Sequence, residues 1–293
     1  MKVIAAEARS LSLLEYVKLT KPRITALVVA TALIGFYLAS SGPLNLWLLL
    51  NALIGTALVA SGASALNMVL ECDADGRMRR TEQRPIPSGR LSVLQSFSFG
   101  SALVLIGVFY LWISVNLLTS LLAIITVNLY LFAYTPLKRR SYLCTAVGAI
   151  PGAIPPMMGW TAARNSLDPQ AWWLFAILFF WQLPHFLSIA WLYRDDYARG
   201  GFPMLPVLDS DGSRTSRHII TETIALILVT LLPALSGNLG HLYLVGAILS
   251  GCIFLYMGVR LALSRSSADA RRLLLTSVIY LPVLLALMMI DKK

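Results

Sequence analysis

Residues 45–85 read Asn45-Leu-Trp-Leu-Leu-Leu-Asn-Ala-Leu-Ile-Gly-Thr-Ala-Leu-Val-Ala-Ser-Gly-Ala-Ser-Ala-Leu-Asn67-Met-Val-Leu-Glu71-Cys-Asp73-Ala-Asp75-Gly-Arg-Met78-Arg-Arg80-Thr81-Glu-Gln-Arg84-Pro85. From 45 to 69 no side chain is charged. A helix of roughly 20 apolar residues rises about 30 Å, the thickness of a hydrocarbon core. A helix that faces water on one side carries a polar stripe. This run has none, and the acids and arginines begin abruptly where it stops. The stretch predicts a membrane-spanning helix that ends at a charged aqueous boundary.

Runs of the same kind recur along the whole chain, near 24–41, 45–69, 94–114, 117–135, 143–162, 171–192, 219–236, 241–259 and 273–290. The chain has 293 residues, 57% of them hydrophobic and 13% charged, and its mean hydropathy is +0.73. A soluble domain carries about a quarter charged residues. The expected fold is therefore all-α, a polytopic helical bundle of about nine transmembrane helices forming one domain over 1–293. Residues 1–22 are expected as a cytosolic N-terminal segment, mixed and basic in character, so no cleavable signal peptide is expected. Cys72, Cys144 and Cys252 are far apart in sequence and form no metal-binding spacing, which predicts free thiols.

The net charge of +10 invites comparison with nucleic-acid binders. The placement of the charges explains it differently. Lys2, Arg9, Lys18, Lys21 and Arg23 precede the first span, and nearly all other cations fall in the loops after spans 2, 4, 6 and 8. Only Arg164, Lys292 and Lys293 fall on the other side. Positive residues favour the cytoplasm, so the N-terminus is expected inside and the C-terminus outside, with no nucleic-acid partner. Span interiors hold almost no ionisable groups, which argues against an ion-coupled transporter or proton pump.

The polar chemistry gathers in two loops, about 70–92 and 193–217. In the first, Asn67, Glu71 and Asp75 are spaced i, i+4, i+8 and share one helical face, while Asp73 points elsewhere. Carboxylates at a helix C-terminus repel one another and meet the negative end of the dipole. A divalent cation relieves both penalties, and Mg²⁺ takes one or two carboxylates together with phosphate oxygens. The arginines that follow suit the remaining phosphate charge. A solvated loop whose acids and arginines neutralise each other is the other reading. The length of the polar run, and an Asn one turn up in apolar sequence, favour a site. The second loop reads Tyr193-Arg-Asp195-Asp196-Tyr197-Ala-Arg199-Gly-Gly, then Phe-Pro203-Met-Leu-Pro206. Both loops set acids before arginines and end in prolines, a hint of duplication well short of a repeat.

At these residues the chain resembles the UbiA superfamily of membrane prenyltransferases, whose first acidic motif has the form Asn-x3-Asp/Glu-x3-Asp. Asn67, Glu71 and Asp75 fill it. The longer run Asn67, Glu71, Asp73, Asp75, Met78, Arg80, Thr81, Arg84 and Pro85 is similar to the haem-farnesylating branch. The likeness continues through Leu19-Thr-Lys21-Pro22-Arg23, Tyr134-Thr-Pro-Leu-Lys138-Arg139-Arg140-Ser141, the Pro/Gly-rich run 148–156, Trp181-Gln-Leu-Pro184-His185, and Asp196-Tyr197 through Met204-Leu-Pro206. It covers about 16–208, and spans 7–9 add only hydropathy. Two departures stand out. Glu71 replaces the usual Asp, and the second Asp-rich motif of other members, Asp-x2-Tyr-Ala-x2-Asp, is absent; His185 and the Asp195–Asp196 pair occupy its region.

The resemblance implies transfer of the farnesyl group of farnesyl diphosphate to a vinyl group of haem B, with addition of water and release of diphosphate, at the cytosolic face of the cytoplasmic (inner) membrane. It implies Mg²⁺ on Glu71, Asp75 and Asp73 with Asn67 as auxiliary ligand, and Asp195 and Asp196 as candidates for a second ion. Arg80, Arg84, Lys138 and Arg139 are candidates for diphosphate or the haem propionates, joined in substrate binding by Lys21, Arg23 and Tyr197. Lys138, Arg139 and Arg140 can equally be topology markers. His185 is either a haem ligand or proton carrier, or a hydrogen-bonded packing residue. Span 5, with its prolines, is expected to be a broken helix lining the prenyl chamber. Implied partners are farnesyl diphosphate, haem B, membrane lipid and a haem A synthase or terminal oxidase assembly. The rivals are prenylation of a quinone precursor, which the Asp-x-Asp-x2-Met-x-Arg-Thr run and Pro184-His185 disfavour, and a passive lipid or haem carrier.

Overall fold

A computed structural model describes residues 13–292; Lys2, Arg9 and Lys293 lie outside the described residues. The longer helices are α1 (Pro22–Ala39), α2 (Leu46–Leu70), α3 (Val93–Ser114), α4 (Leu117–Asn128), α5 (Cys144–Ala153), α6 (Pro155–Arg164), α7 (Pro169–Leu192), α8 (Ser213–Leu235), α9 (His241–Ser264) and α10 (Ser267–Ile290). Short helices at Cys72–Asp75, Arg194–Gly200 and Leu205–Leu208 lie in the two acidic loops. Beyond Asn128, α4 runs on through a π-helical turn (Leu129–Tyr134) and a last α turn (Thr135–Leu137). Among the described residues the only β-type pairing is an isolated bridge between Leu239 and Lys292. Cys72, Cys144 and Cys252 are free.

Eight of these segments are long and apolar enough to cross a membrane: α1, α2, α3, extended α4, α7, α8, α9 and α10. The remaining expected span, 143–162, is the α5–α6 pair, broken at Ile154. The break follows from sequence. Pro151, Pro155 and Pro156 each lack the N–H that a continuous helix needs. A broken helix belongs inside protein, because lipid cannot satisfy the freed carbonyls. Accordingly, every residue from Pro155 to Ala162 is buried.

Small residues let the neighbours close around this pair. A methyl group added at Gly159 would sit 1.8 Å from the Ala32 carbonyl oxygen, and one at Gly35 would sit 2.0 Å from that of Pro156. Backbone thus meets backbone between α1 and α6, the close approach that membrane helices reach through glycine. From α7, the buried Gln182 reaches across to donate Nε2–H to the Ala149 carbonyl at 3.3 Å. The outer surface is apolar: Leu105 and Phe109 of α3, Leu228 of α8, and Leu249 and Ile253 of α9 are exposed. These suit lipid.

Helix boundaries overrun three predicted spans, α9 by running on to Ser264. α8 begins at Ser213 and α10 at Ser267, earlier than hydropathy alone suggests. Their first two turns carry Arg214 and Arg217, and Arg271 and Arg272. A helix keeps its backbone bonds past the hydrocarbon edge, so charge marks the boundary of the apolar run and not of the helix.

Candidate active site

The acidic face forms where α2 runs out. α2 ends at Leu70, yet the Glu71 N–H still bonds to the Asn67 carbonyl (3.0 Å) and the Asp75 N–H to that of Glu71 (2.8 Å). These two bonds carry helical spacing through the short turn Cys72–Asp75. Asn67, Glu71 and Asp75 are all buried, at 2%, 3% and 0% exposure, while Asp73 is exposed.

Each of the three meets a cation or donor from beyond its own helical turn. Lys21 Nζ donates to Asn67 Oδ1 at 2.9 Å, and Asn67 Nδ2 donates to Thr135 Oγ1 at 3.2 Å. Lys138 Nζ bonds to both oxygens of Glu71, at 3.0 and 3.1 Å. Arg84 Nη1 bonds to Asp75 Oδ2 at 2.6 Å, and Thr81 Oγ1 donates to the Asp75 carbonyl at 2.8 Å. The other Asp75 oxygen, Oδ1, is buried without a partner among the described residues.

The π-helical turn of α4 helps to build this arrangement. Its wider coil ends at Thr135, whose Oγ1 donates to the Tyr130 carbonyl at 2.8 Å while accepting from Asn67. Three residues on, Lys138 lies 4.5 Å from the centre of the Phe202 ring. Such π turns interrupt helices chiefly at functional positions.

Charge states follow from the pairing. Burial opposes ionisation of both Glu71 and Lys138, but each faces the other's charge, and that outweighs the lost solvation. The Glu71 carboxyl is held below its ordinary value and the Lys138 ammonium above its own. Lys21 is pushed down to about 8, first by burial and then by the Arg84 charge.

The second loop is built differently. Asp196 is buried and accepts from the Arg79 backbone N–H (3.3 Å) and from the Arg199 guanidinium. Asp195 stands in solvent with an 87%-exposed side chain, 3.8 Å from Arg194. The two neighbouring acids therefore diverge. Arginines of the first loop clasp the second: Arg80 lies 4.9 Å from the Tyr193 ring centre and 4.6 Å from that of Tyr197, and Arg77 Nη2 donates to the Gly200 carbonyl at 3.2 Å. Arg139 donates to the Leu70 carbonyl at 3.1 Å, at the negative end of α2. Arg23 is exposed. His185 shares no hydrogen bond with this cluster among the described residues. Its Nδ1 pairs with Ser277 Oγ at 2.8 Å and its ring stacks on Trp181, pinning α7 to α10.

The UbiA prenyltransferase family model matches residues 28–281. The chain belongs to the UbiA prenyltransferase family. It is similar to a protoheme IX farnesyltransferase of Solibacter usitatus, 50% identical over 95% of this chain and 98% of the relative. A protein of the same name from Koribacter versatilis is 46% identical over 95% of this chain and 93% of the relative. Among solved structures, a digeranylgeranylglyceryl phosphate synthase shares the fold at TM-score 0.81 and 15% identity, covering 96% of this chain and 98% of its own. A UbiA homologue from Archaeoglobus fulgidus bound to GPP and Mg²⁺ does so at TM-score 0.68 and 12% identity, covering 94% and 99%.

In this UbiA family member the acids are the groups that could hold a divalent cation. Among the described residues, no three His, Cys, Asp or Glu side chains gather as a metal-holding group. Of the expected ligands, Glu71 and Asp75 share one buried face, Asp73 and Asp195 are exposed, and Asp196 is buried against the Arg79 backbone N–H. A buried carboxylate oxygen with no partner is rare and asks for one. Asp75 Oδ1 meets that description, and Glu71 stands one turn away. Two carboxylates suffice for Mg²⁺ when a phosphate completes its shell. The residues fit. Thr135 and Phe202 complete the site without having been singled out from sequence, and Thr81, there a motif match only, gains a role. Thr135 and Thr81 sit within the motif runs, but their roles depend on contacts that no spacing rule reports.

Proposed function

We propose that this chain farnesylates haem B to haem O, taking farnesyl diphosphate as donor. The observation that carries the proposal is the buried Asn67–Glu71–Asp75 face, with an open Asp75 oxygen and Lys21, Lys138 and Arg84 around it, at one end of an apolar bundle. The acceptor is inferred from the relatives named protoheme IX farnesyltransferase. An anionic group is recognised by this set of three cations, and a long prenyl chain by the helices below.

In the reaction the farnesyl C1–O bond breaks and diphosphate leaves with the electron pair. The haem vinyl group bonds to C1, and water adds to the resulting cation with loss of a proton. Mg²⁺ on Asp75 and Glu71 would supply Lewis-acid neutralisation of the diphosphate. Lys21, Lys138 and Arg84 hold the negative charge that develops on the leaving oxygen, which is where preorganised cations lower a barrier most. The buried α6 segment and its neighbours exclude water from the prenyl chain until C1 is captured. Asn67 orients Lys21 through one amide atom and ties to Thr135 through the other. We place the site at the cytosolic face of the cytoplasmic membrane, since it lies at the cation-rich end. A haem A synthase or terminal oxidase assembly would take the product.

The test is pigment analysis of purified chain in detergent with farnesyl diphosphate, haem B and Mg²⁺. Haem O and diphosphate should appear in equal amounts and only when Mg²⁺ is present. Transfer to 4-hydroxybenzoate in place of haem B would overturn the acceptor assignment.

A further inference from the structure

The opposite end of the bundle carries the few cations that the charge pattern sets apart, and two of them face one cavity. It measures about 410 Å³ and lies where α1 and α6 end and α7 begins, closed by residues just before α9 and just after α10. Tyr37, Trp160, Arg164, Trp173, Asn238 and Lys292 line it, and no described Asp or Glu does. Neither the prenyl chemistry nor the family assignment uses it.

Both cations keep donors to spare. Lys292 Nζ donates to the carbonyls of Tyr37 (2.7 Å) and Ser40 (2.5 Å), at the negative end of α1, and lies 5.0 Å from the Tyr37 ring centre. Burial and the nearby Arg164 charge both lower its proton affinity, and none of the ion pairs among the described residues includes it. Arg164 donates to Ser41 Oγ at 3.3 Å and stands 3.7 Å from Asp168, its side chain 45% exposed. That Asp168 already accepts from Trp160 Nε1 at 3.0 Å and from Ser166. The cavity is thus net positive, ringed by indole and phenol groups of the kind that settle at the membrane boundary.

We propose that this cavity binds the phosphate of an anionic phospholipid from the leaflet at that end. A phosphate takes the forked donors of Arg164 and the point charge of Lys292 together. A cavity near the small end of the ligand-pocket range suits a headgroup. Leu174 and Met288, also in its lining, suit the start of the acyl chains. The shared chemistry is a phosphate anion, and the helix-end position selects the lipid over a free ion.

The experiment reconstitutes the full chain in phosphatidylcholine nanodiscs with a minority of phosphatidylglycerol, releases it into mild detergent and counts retained lipid by native mass spectrometry. Wild type should retain phosphatidylglycerol over phosphatidylcholine. Arg164→Gln should retain about tenfold less, and Arg164→Lys an intermediate amount. Equal retention by wild type and Arg164→Gln, with matching thermal unfolding, overturns the proposal. So does displacement of the retained lipid by inorganic phosphate at millimolar concentration, which would make it a free-anion site. A readout that needs no variant is quenching of tryptophan fluorescence by spin-labelled phosphatidylglycerol against spin-labelled phosphatidylcholine. No preference between the two also overturns it.

Discussion

The two acidic loops look alike on paper and differ in the fold. In the first, Glu71 and Asp75 are buried and reach cations brought from outside their helical turn, with one Asp75 oxygen left over. In the second, Asp196 is occupied by its neighbour Arg199 and by a backbone N–H, while Asp195 faces solvent. A buried acid held by a distant cation is set up for a ligand. An acid neutralised by its own helix is set up to hold a loop. Similar composition therefore does not make similar chemistry; burial and the origin of the counter-charge decide.

The sharpest way to break this comparison is to neutralise one acid in each loop. Asp75→Asn should lower haem O formation by about 10²–10³-fold, the size expected when a preorganised charge at the leaving group is lost. Asp195→Asn should stay within about twofold, as its ion pair is solvent-exposed. Comparable losses in the two variants, at equal membrane insertion, would erase the distinction.

Stability gives the next largest contrast. Glu71→Gln leaves Lys138 buried without its counter-charge and should cost about 3–5 kcal/mol in denaturant unfolding. Adding Lys138→Met should return part of that loss, since no buried charge then stands alone. Asp196→Asn should cost about 1 kcal/mol, because Arg199 can turn to water.

The clasp between the loops is a smaller effect. Arg80→Lys loses the planar group between Tyr193 and Tyr197 and should cost about 1 kcal/mol. Faster hydrogen exchange confined to the backbone around residues 193–201 would register it. Unchanged exchange would mean that Arg80 does not hold the second loop.

The smallest effect is at the far anchor of the first loop. Glu15 bonds to Lys18 at 2.6 Å and to Arg90 at 2.9 Å. Burial opposes its ionisation, but these two cations outweigh it and hold the carboxyl below its ordinary 4.5. A depressed carboxyl stabilises the fold above its unfolded value and loses that contribution as pH falls through the folded one. Wild type should therefore lose stability below about pH 4.5 more steeply than Glu15→Gln in thermal unfolding.

The acidic face was legible because it is local. Helical spacing puts Asn67, Glu71 and Asp75 together whatever else the chain does. Asp73, Asp195 and Asp196 entered as metal candidates through the resemblance, which says nothing about which way a side chain is buried. His185 shows the same limit: its neighbours on α7 do not name its partner, and Ser277, which receives it, lies 92 residues away.

By itself the sequence determined the all-helical membrane architecture, the break in the fifth span and the shared face at the end of α2. Hydropathy, proline and the 3.6-residue repeat act over one or two turns, so no tertiary contact is needed to read them. Only the tertiary structure decided that Lys138 meets Glu71 across 67 residues and that Lys21 meets Asn67 across 46. It also decided that one Asp75 oxygen is left open and that Arg164 and Lys292 share a cavity. Such pairings depend on how glycine-lined helices pack, and a charge buried by that packing must find its partner wherever the fold delivers one.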